Sequence, residues 1–586
     1  MRQSTANTET TAPNHLVRLG ALALFVGAGA PTHALAQDRV ITTPVSIAQD
    51  QLAAGAYTPS QVVQSGRQFF GAAYLPSDGH GEGPTGPRSG IRQAFWGTAV
   101  AGSGLEIPFV RVNGLDAQAC FGCHNSAGTY VPPGELHRTQ KPGGLGGAAD
   151  FASVLLANSA FPSVGGAADT QPRLTHVVRA PPKTYGTGYA QELAIEMSET
   201  LLAIEAGATA AAAAFPGVQV TRHLIAKGVD FGDITITCPN ATCASPVRDV
   251  SQISGVSADL IVRPLQHKGI TATLRSFCKS ALDFHFSIQP VEVVGVNTDC
   301  DADGLRNEMA VDNVSIVPNA QSLQVQQSLG NVAALAAFTG MLRPPVSPSF
   351  VPGTRGEVIF DRIGCTSCHV QSLTTRRGPL FRIQLASPAR ACPNTAIYGS
   401  ANLGSFSEVE ATRHSVLETI SAQATQDALR STQVGKASTL PAISTCPTGF
   451  YCIDLTNPGT LPPEFGHRLP ANADLTVTVP LYSDLKRHDL GAYLAQQSPN
   501  QVDDGGNIIP NDEWLTTKLW GVADNGPWLH DGRARTLEEA IIMHDGADGN
   551  ANDGEAVAVI NNFQALSATD KAALIDFLLT LSVPNP

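Results

Sequence analysis

The chain is short of methionine (5), tryptophan (4) and tyrosine (9), and only 15% of its 586 residues are charged. It has no basic surplus: 37 lysines and arginines stand against 50 aspartates and glutamates, a formal net charge of −13. That balance excludes a nucleic-acid partner, which requires a basic surface. The chain also has no run of about 18 apolar residues, the length a helix needs to cross a bilayer. The nearest candidate, Leu19 to Ala28, is shorter; Arg18 precedes it and Ala34-Leu35-Ala36 follows. A basic flank, a short apolar core and a small-x-small tripeptide form the pattern of an export signal, with cleavage expected after Ala36. An uncleaved anchor at the membrane fits the same stretch. Under either reading the body of the protein lies outside the cytoplasm, periplasmic or secreted.

What is present is enough apolar material (43%) to build large cores, in a chain long enough for about three or four domains, or for two with large insertions. Eleven cysteines stand out. Four fall in two matching pentads, C-F-G-C-H at Cys120, Cys123 and His124, and C-T-S-C-H at Cys365, Cys368 and His369. C-x-x-C-H is the attachment motif of c-type haem: two thiols three residues apart bond the vinyl groups on one porphyrin edge, and the adjacent histidine binds iron from the proximal side. With this content of cysteine and histidine, even one such pentad arises by chance in roughly one chain in 200, so two are a strong signal. A redox dithiol or half of a zinc site uses the same spacing, but a zinc site wants a further Cys or His pair near each pentad and none is obvious. Two covalently bound haems c are therefore expected. The other cysteines are Cys238, Cys243, Cys278, Cys300, Cys392, Cys446 and Cys452. In an oxidising compartment disulfides are the plain reading; Cys238 with Cys243 and Cys446 with Cys452 could each close a short loop, and an odd number leaves at least one unpaired.

A similar lead-in precedes each pentad. Before the second, G-E-V-I-F-D-R-I-G predicts a short helix anchored by Val358 and Ile359, with Gly364 at the turn; before the first, S-G-R-Q-F-F-G-A-A-Y begins at Ser65, with a Gly- and Pro-rich loop before Cys120. The last helix is expected to start at Ser567 as N-cap with Asp570 at N3 and to bury Leu574, Ile575, Leu578 and Leu581. Small cytochromes c end on such a helix, packed across their first. Between the pentads, residues 190–214 read as a helix with Leu193, Met197, Leu201 and Ile204 on one face, where Met197 is expected to be core. Residues 232–295 include β-branched runs that predict several strands.

Within N-T-D-C-D-A-D-G, the residues Asp299, Asp301 and Asp303 with Gly304 give alternating carboxylates and a sharp turn, as in a calcium loop. The usual position-12 glutamate is replaced by Ala310, with Glu308 the nearby substitute, so bound Ca²⁺ and a solvated acidic turn both remain open.

A haem's sixth coordination site decides its role: a protein ligand makes an electron-transfer haem, an open site admits an oxidant. In T-L-E-E-A-I-I-M-H-D, Thr536 and Glu539 form a capping box. Leu537, Ala540, Ile541 and His544 then share one helix face, while Met543 points about 160° from Ile541. If that face looks toward a haem, His544 is its iron ligand and Met543 is packing.

The stretch from Trp528, W-L-H-D-G-R-A-R-T-L-E-E-A-I-I-M-H-D-G, resembles the C-terminal signature of the di-haem cytochrome c peroxidase superfamily. Its distal methionine stands fourteen residues after the turn histidine; here that position, counted from His530, is His544. The chain thus departs from the peroxidase pattern, and the nearer resemblance is to the di-haem oxidoreductase (thiol oxidoreductase-like) family, through Pro480–Gly491, Leu519–Gly521 and Asp301–Glu308. The bacterial rubber oxygenases are a related branch. The resemblance covers roughly residues 290–586; from about 60 to 125 it rests mainly on the haem motif.

It implies a mainly α fold, with two cytochrome c-like haem domains and a long middle insertion containing some β-strand. Residues 1–36 would be the signal, 37–190 the N-terminal haem domain, 191–345 the middle segment and 346–586 the C-terminal haem domain, with an insertion at about 373–475. One haem would pass electrons and the other, on His124, would react with a small oxidant, H₂O₂ or O₂, drawing on an electron donor the sequence does not name. His137 or His176 could cap that first haem, although an open site suits the role better. Glu135 and Glu192 are candidates for its acid–base group, and Arg487 and His488 could bind a propionate or simply end a solvated helix. A peroxidase-like oxidoreductase leads; an O₂-dependent dioxygenase and a non-catalytic electron carrier are the alternatives.

Overall fold

In the computed structural model, the described residues are 45–72, 74, 119–120, 124, 154–156, 173–175, 181–286, 324–342, 344, 351–385, 446–456, 461, 469–495, 501–524, 526–545 and 554–582. The expected export segment, Cys123, Glu135, His137, His176 and the acidic stretch of Asp299, Asp301 and Asp303 lie outside them. Among the described residues no helix is long and apolar enough to cross a membrane.

The helices, in chain order, are α1 (Gln49–Ala53), α2 (Pro59–Gly71), α3 (Thr187–Ala214), α4 (Leu274–Phe286), α5 (Gln324–Met341), α6 (Arg355–Arg362), α7 (Gly491–Leu494), α8 (Leu537–Ile542), α9 (Val557–Gln564) and α10 (Ala568–Thr580). The strands are short and antiparallel. β3 (Gln219–Ala226), β4 (Val229–Thr237) and β5 (Val247–Ile253) form a three-stranded sheet. Five two-stranded ribbons pair β1 (Val154–Leu156) with β2 (Arg173–Thr175), β6 (Leu373–Thr374) with β9 (Thr478–Val479), β7 (Leu380–Gln384) with β8 (Phe450–Asp454), β10 (Arg487–Asp489) with β13 (Glu513–Leu515), and β11 (Gln501–Val502) with β12 (Ile508–Ile509).

The helix read over 190–214 is α3, in which Leu193, Met197 and Leu201 are fully buried, so Met197 is core. Strands occupy 219–253, but the rest of the range expected to be β is not strand: 274–286 is helical. Leu274, Cys278 and Leu282 recur every four residues and are buried, a helical period that the β-branched runs upstream obscured. Both short-loop disulfides are present, Cys238–Cys243 and Cys446–Cys452; Cys278, Cys365 and Cys368 carry free thiols.

Two apolar cores form. The larger gathers α1–α5 and the sheet; the smaller gathers α6, α8, α9 and α10. Each is centred on a helix pair that crosses at a glycine. On α2, a Cβ at Gly66 would lie 1.9 Å from the Ala334 carbonyl of α5; on α6, a Cβ at Gly356 would lie 2.0 Å from the Ala573 carbonyl of α10. One turn further along each pair, two phenylalanines meet edge to face: Phe70 with Phe338 at 5.1 Å, and Phe360 with Phe577 at 5.5 Å between ring centres. Only a glycine lets the backbones approach closely enough for those rings to interlock. Val358, expected to be an anchor, is 57% exposed; Ile359 and Phe360 face inward instead. Successive helical residues are about 100° apart, so Val358 and Ile359 cannot share one narrow buried stripe. The α10 N-cap forms as expected, Asp570 N donating to Ser567 Oγ at 3.2 Å.

Candidate functional site

Gly364 ends α6 with φ at +100°, a conformation that disfavours any side chain there. The chain then turns through a 3₁₀ segment, Cys365–Ser367, closed by His369 N donating to the Cys365 carbonyl at 2.9 Å. The turn sets Cys365, Cys368 and His369 on the wall of a cavity of about 300 Å³. Burial pushes the Cys365 thiol up to about 12. The His369 imidazole is held by its Nδ1–H, which donates to the Tyr482 carbonyl at 2.9 Å. That bond fixes the ring plane and the tautomer, placing the lone pair on Nε2. Burial, reinforced by the nearby His544, draws the His369 pKa down to about 4 despite the Tyr482 bond, so the ring is neutral at ordinary pH and able to donate its lone pair.

His544 lines the same cavity. Thr536 and Glu539 form the expected capping box at the start of α8, and Leu537 and Ala540 are buried beneath it. The helix is shorter than the periodicity suggested: it ends at Ile542 and tightens into a 3₁₀ turn over Met543–Asp545. His544 Nδ1 donates to the Ala540 carbonyl at 2.7 Å, again leaving the lone pair on Nε2. Leu537, Ala540, Ile541 and His544 all face the cavity, whereas Met543 is not part of its wall. The remaining wall is largely apolar, with Phe360, Val522, Ile560 and Leu574 among its members.

The K-R-H-D stretch is not a solvated helix end. It forms β10, in which His488 pairs across the ribbon with Trp514. His488 lies at the cavity with Nε2 on Asp484 at 2.8 Å and Nδ1 on Glu555 at 2.7 Å. Burial opposes its charge, but the carboxylates of Asp484 and Glu555 prevail and hold its pKa up at about 11. Arg487 turns toward Glu513 (3.2 Å) and Ser257 (3.0 Å) and is no part of the cavity wall.

Of the first pentad, Cys120 and His124 are described. His124 N donates to the Cys120 carbonyl at 2.8 Å, the same closure as in the second pentad. The His124 ring lies 6.1 Å from Phe70, as His369 lies 6.3 Å from Phe360. Glu192 is fully buried and paired with Arg382 at 3.0 Å; burial pushes its carboxyl above the usual range against the pull of that guanidinium. Arg382 also bonds Glu199 at 2.7 Å, which makes Glu192 part of a structural ion network.

Sequence reasoning passed over Tyr482, which lies in a quoted motif but acts through its backbone carbonyl, and Trp514, Lys183 and Lys518, which share the cavity wall. Tyr482 adopts φ +51°, rare for a bulky side chain, and that strained residue presents the carbonyl that orients His369.

No curated protein and no solved structure matches the chain. Residues 452–581, which hold Tyr482, His488, Trp514, His530 and His544, match the model of a family described as di-haem oxidoreductase, putative peroxidase.

Proposed function

We propose that the protein is an exported di-haem c-type oxidoreductase of peroxidase-like activity, with one electron-transfer haem and one haem that meets a small oxidant. The observation that carries this reading is the pair His369 and His544. They come from chain segments far apart in sequence, each has Nδ1 tied to a backbone carbonyl, and both line one apolar cavity edged by Cys365 and Cys368. The donor set fits a haem c: two sulfurs that would form thioether links and two imidazoles that would bind iron. A haem bound there would supply one-electron redox chemistry.

The chain's own groups have separable tasks in this reading. The Tyr482 carbonyl fixes the His369 ring. With a haem bound, His544 would hold its iron together with His369, keep oxidants from this site and suit it to electron transfer. Histidine in place of methionine sets a lower potential than a His–Met pair would give. The first pentad, built on the same helix crossing, is then the site for H₂O₂ or O₂, with His124 as proximal ligand. The cytochrome c-like domain organisation, the periplasmic destination and a calcium ion on Asp299, Asp301 and Asp303 belong to the same proposal.

The test is a haem count after denaturation, followed by titration of the reduced protein with H₂O₂. The expected result is two covalent haems per chain, of which one reacts with peroxide. Two six-coordinate low-spin haems indifferent to H₂O₂ and O₂ would leave only an electron carrier. O₂ uptake with a hydrocarbon substrate and no peroxide requirement would select a dioxygenase.

A further inference from the structure

Among the described residues several buried cations are closely matched. Arg382 is held by Glu192 and Glu199, Arg263 by Asp259 and Asp504, and Lys268 by the carbonyls of Pro510, Asn511 and Glu513. The cavity wall differs from these. Lys183 is 9% exposed, and its Nζ donates to the Lys518 carbonyl at 3.2 Å. Lys518 lines the same cavity. Among the described residues neither ammonium group has a carboxylate within ion-pair distance; Asp524 acts on Lys183 only as a more distant charge. Burial, and for Lys183 the neighbouring Lys518, draws the two amines down to about 7 and about 8. Burial disfavours the charged form of both amines, and an anion beside them would restore it.

A second observation points the same way. Trp514 lines this cavity and is 6% exposed, yet its indole Nε1–H has no acceptor among the described residues. The indole is held firmly, stacked on His530 at 4.0 Å and beneath Lys268 Nζ at 4.1 Å. A buried donor with no acceptor costs about 1–3 kcal/mol. Two lysines on the cavity wall, and a lining tryptophan whose N–H has no acceptor among the described residues, suit a carboxylate.

We infer that Lys183, Lys518 and the Trp514 indole N–H form a carboxylate-binding wall of the cavity, and that the carboxylate they take is a haem propionate. This rests on the haem reading of His369 and His544. The same wall would also suit a free carboxylate substrate, and the experiment separates the two.

The full-length haem protein is compared with Lys518→Met, Lys518→Arg, Lys183→Met and Trp514→Phe, after the covalent haem count has been made on each. Replacing a lysine beside a propionate with an apolar residue removes positive charge near iron and favours the ferric form. The expected shift for Lys518→Met is about tenfold in the ferric/ferrous ratio, or about 59 mV toward negative potential for a one-electron couple. Lys518→Arg retains the wild-type potential, and Trp514→Phe alters the propionate modes in the resonance Raman spectrum. Unchanged potentials and Raman modes in chains that carry their full haem complement overturn the propionate assignment and leave the haem reading intact. A wild-type chain without haem overturns the haem reading itself. Binding of added benzoate that Lys518→Met abolishes, with no change of potential, assigns the wall to an external carboxylate instead.

Discussion

The surroundings of the two C-x-x-C-H turns are built alike on one side and differ on the other. Before each turn a helix carries a glycine followed four residues later by a phenylalanine, Gly66 and Phe70 on α2, Gly356 and Phe360 on α6. Each helix crosses a partner that supplies an alanine carbonyl and a second phenylalanine, Ala334 and Phe338 on α5, Ala573 and Phe577 on α10. The histidine of each pentad then lies 6.1 or 6.3 Å from the first phenylalanine ring. Both partner helices begin about 200 residues after their pentads, α10 at Ala568 and α5 at Gln324, the latter within the segment expected to be a middle insertion. The shared geometry shows what places the histidine of each pentad. What distinguishes the second site is its other wall: His544, the carboxylate-clamped His488, and Lys183 and Lys518 with Trp514.

The largest expected effect breaks the shared part. Phe70→Ala and Phe360→Ala each remove a fully packed ring at a helix crossing and should cost about 3–5 kcal/mol in urea unfolding. A loss under about 1 kcal/mol at either position would mean that the crossing does not hold that site. Next, His488 sharpens the difference. Its folded pKa of about 11 stands above the unfolded value of 6.5, so its contribution is complete below about pH 6.5 and disappears as pH rises through about 11. The stability gap between wild type and His488→Gln should therefore narrow by up to about 1 kcal/mol per pH unit across that window. A gap that widened with pH would contradict the assignment of a charged His488. Gly66→Ala and Gly356→Ala should each cost about 1–3 kcal/mol by forcing the helices apart; equal stability to wild type would show that the close approach is dispensable. The smallest effect belongs to Met543→Leu, which should change stability by less than about 1.5 kcal/mol and leave the haem spectrum alone.

Local signals were readable from sequence alone. The pentads, the Thr536–Glu539 box, the α10 N-cap and the phase that puts His544 inward and Met543 outward all depend on spacings within two turns of chain. The repeated G-x-x-x-F was also present, but with Val358 and Ile359 read as the anchors the equivalence of Phe70 and Phe360 stayed hidden. What could not be read depends on distant partners. Tyr482 is 113 residues from His369, Lys183 is 335 from Lys518 and Glu192 is 190 from Arg382. No periodicity encodes such pairings, which is why Glu192 resembled a catalytic acid and Arg487 a propionate ligand until their salt-bridge partners were located.

The central claim is that His369 and His544 are the two axial ligands of one haem. The most direct measurement is the resting-state absorption and electron paramagnetic resonance spectrum of wild type, His544→Ala and Met543→Ala. The account predicts that His544→Ala converts one haem from low spin to high spin while Met543→Ala keeps the wild-type spectrum. A low-spin signal that survives His544→Ala unchanged would contradict it.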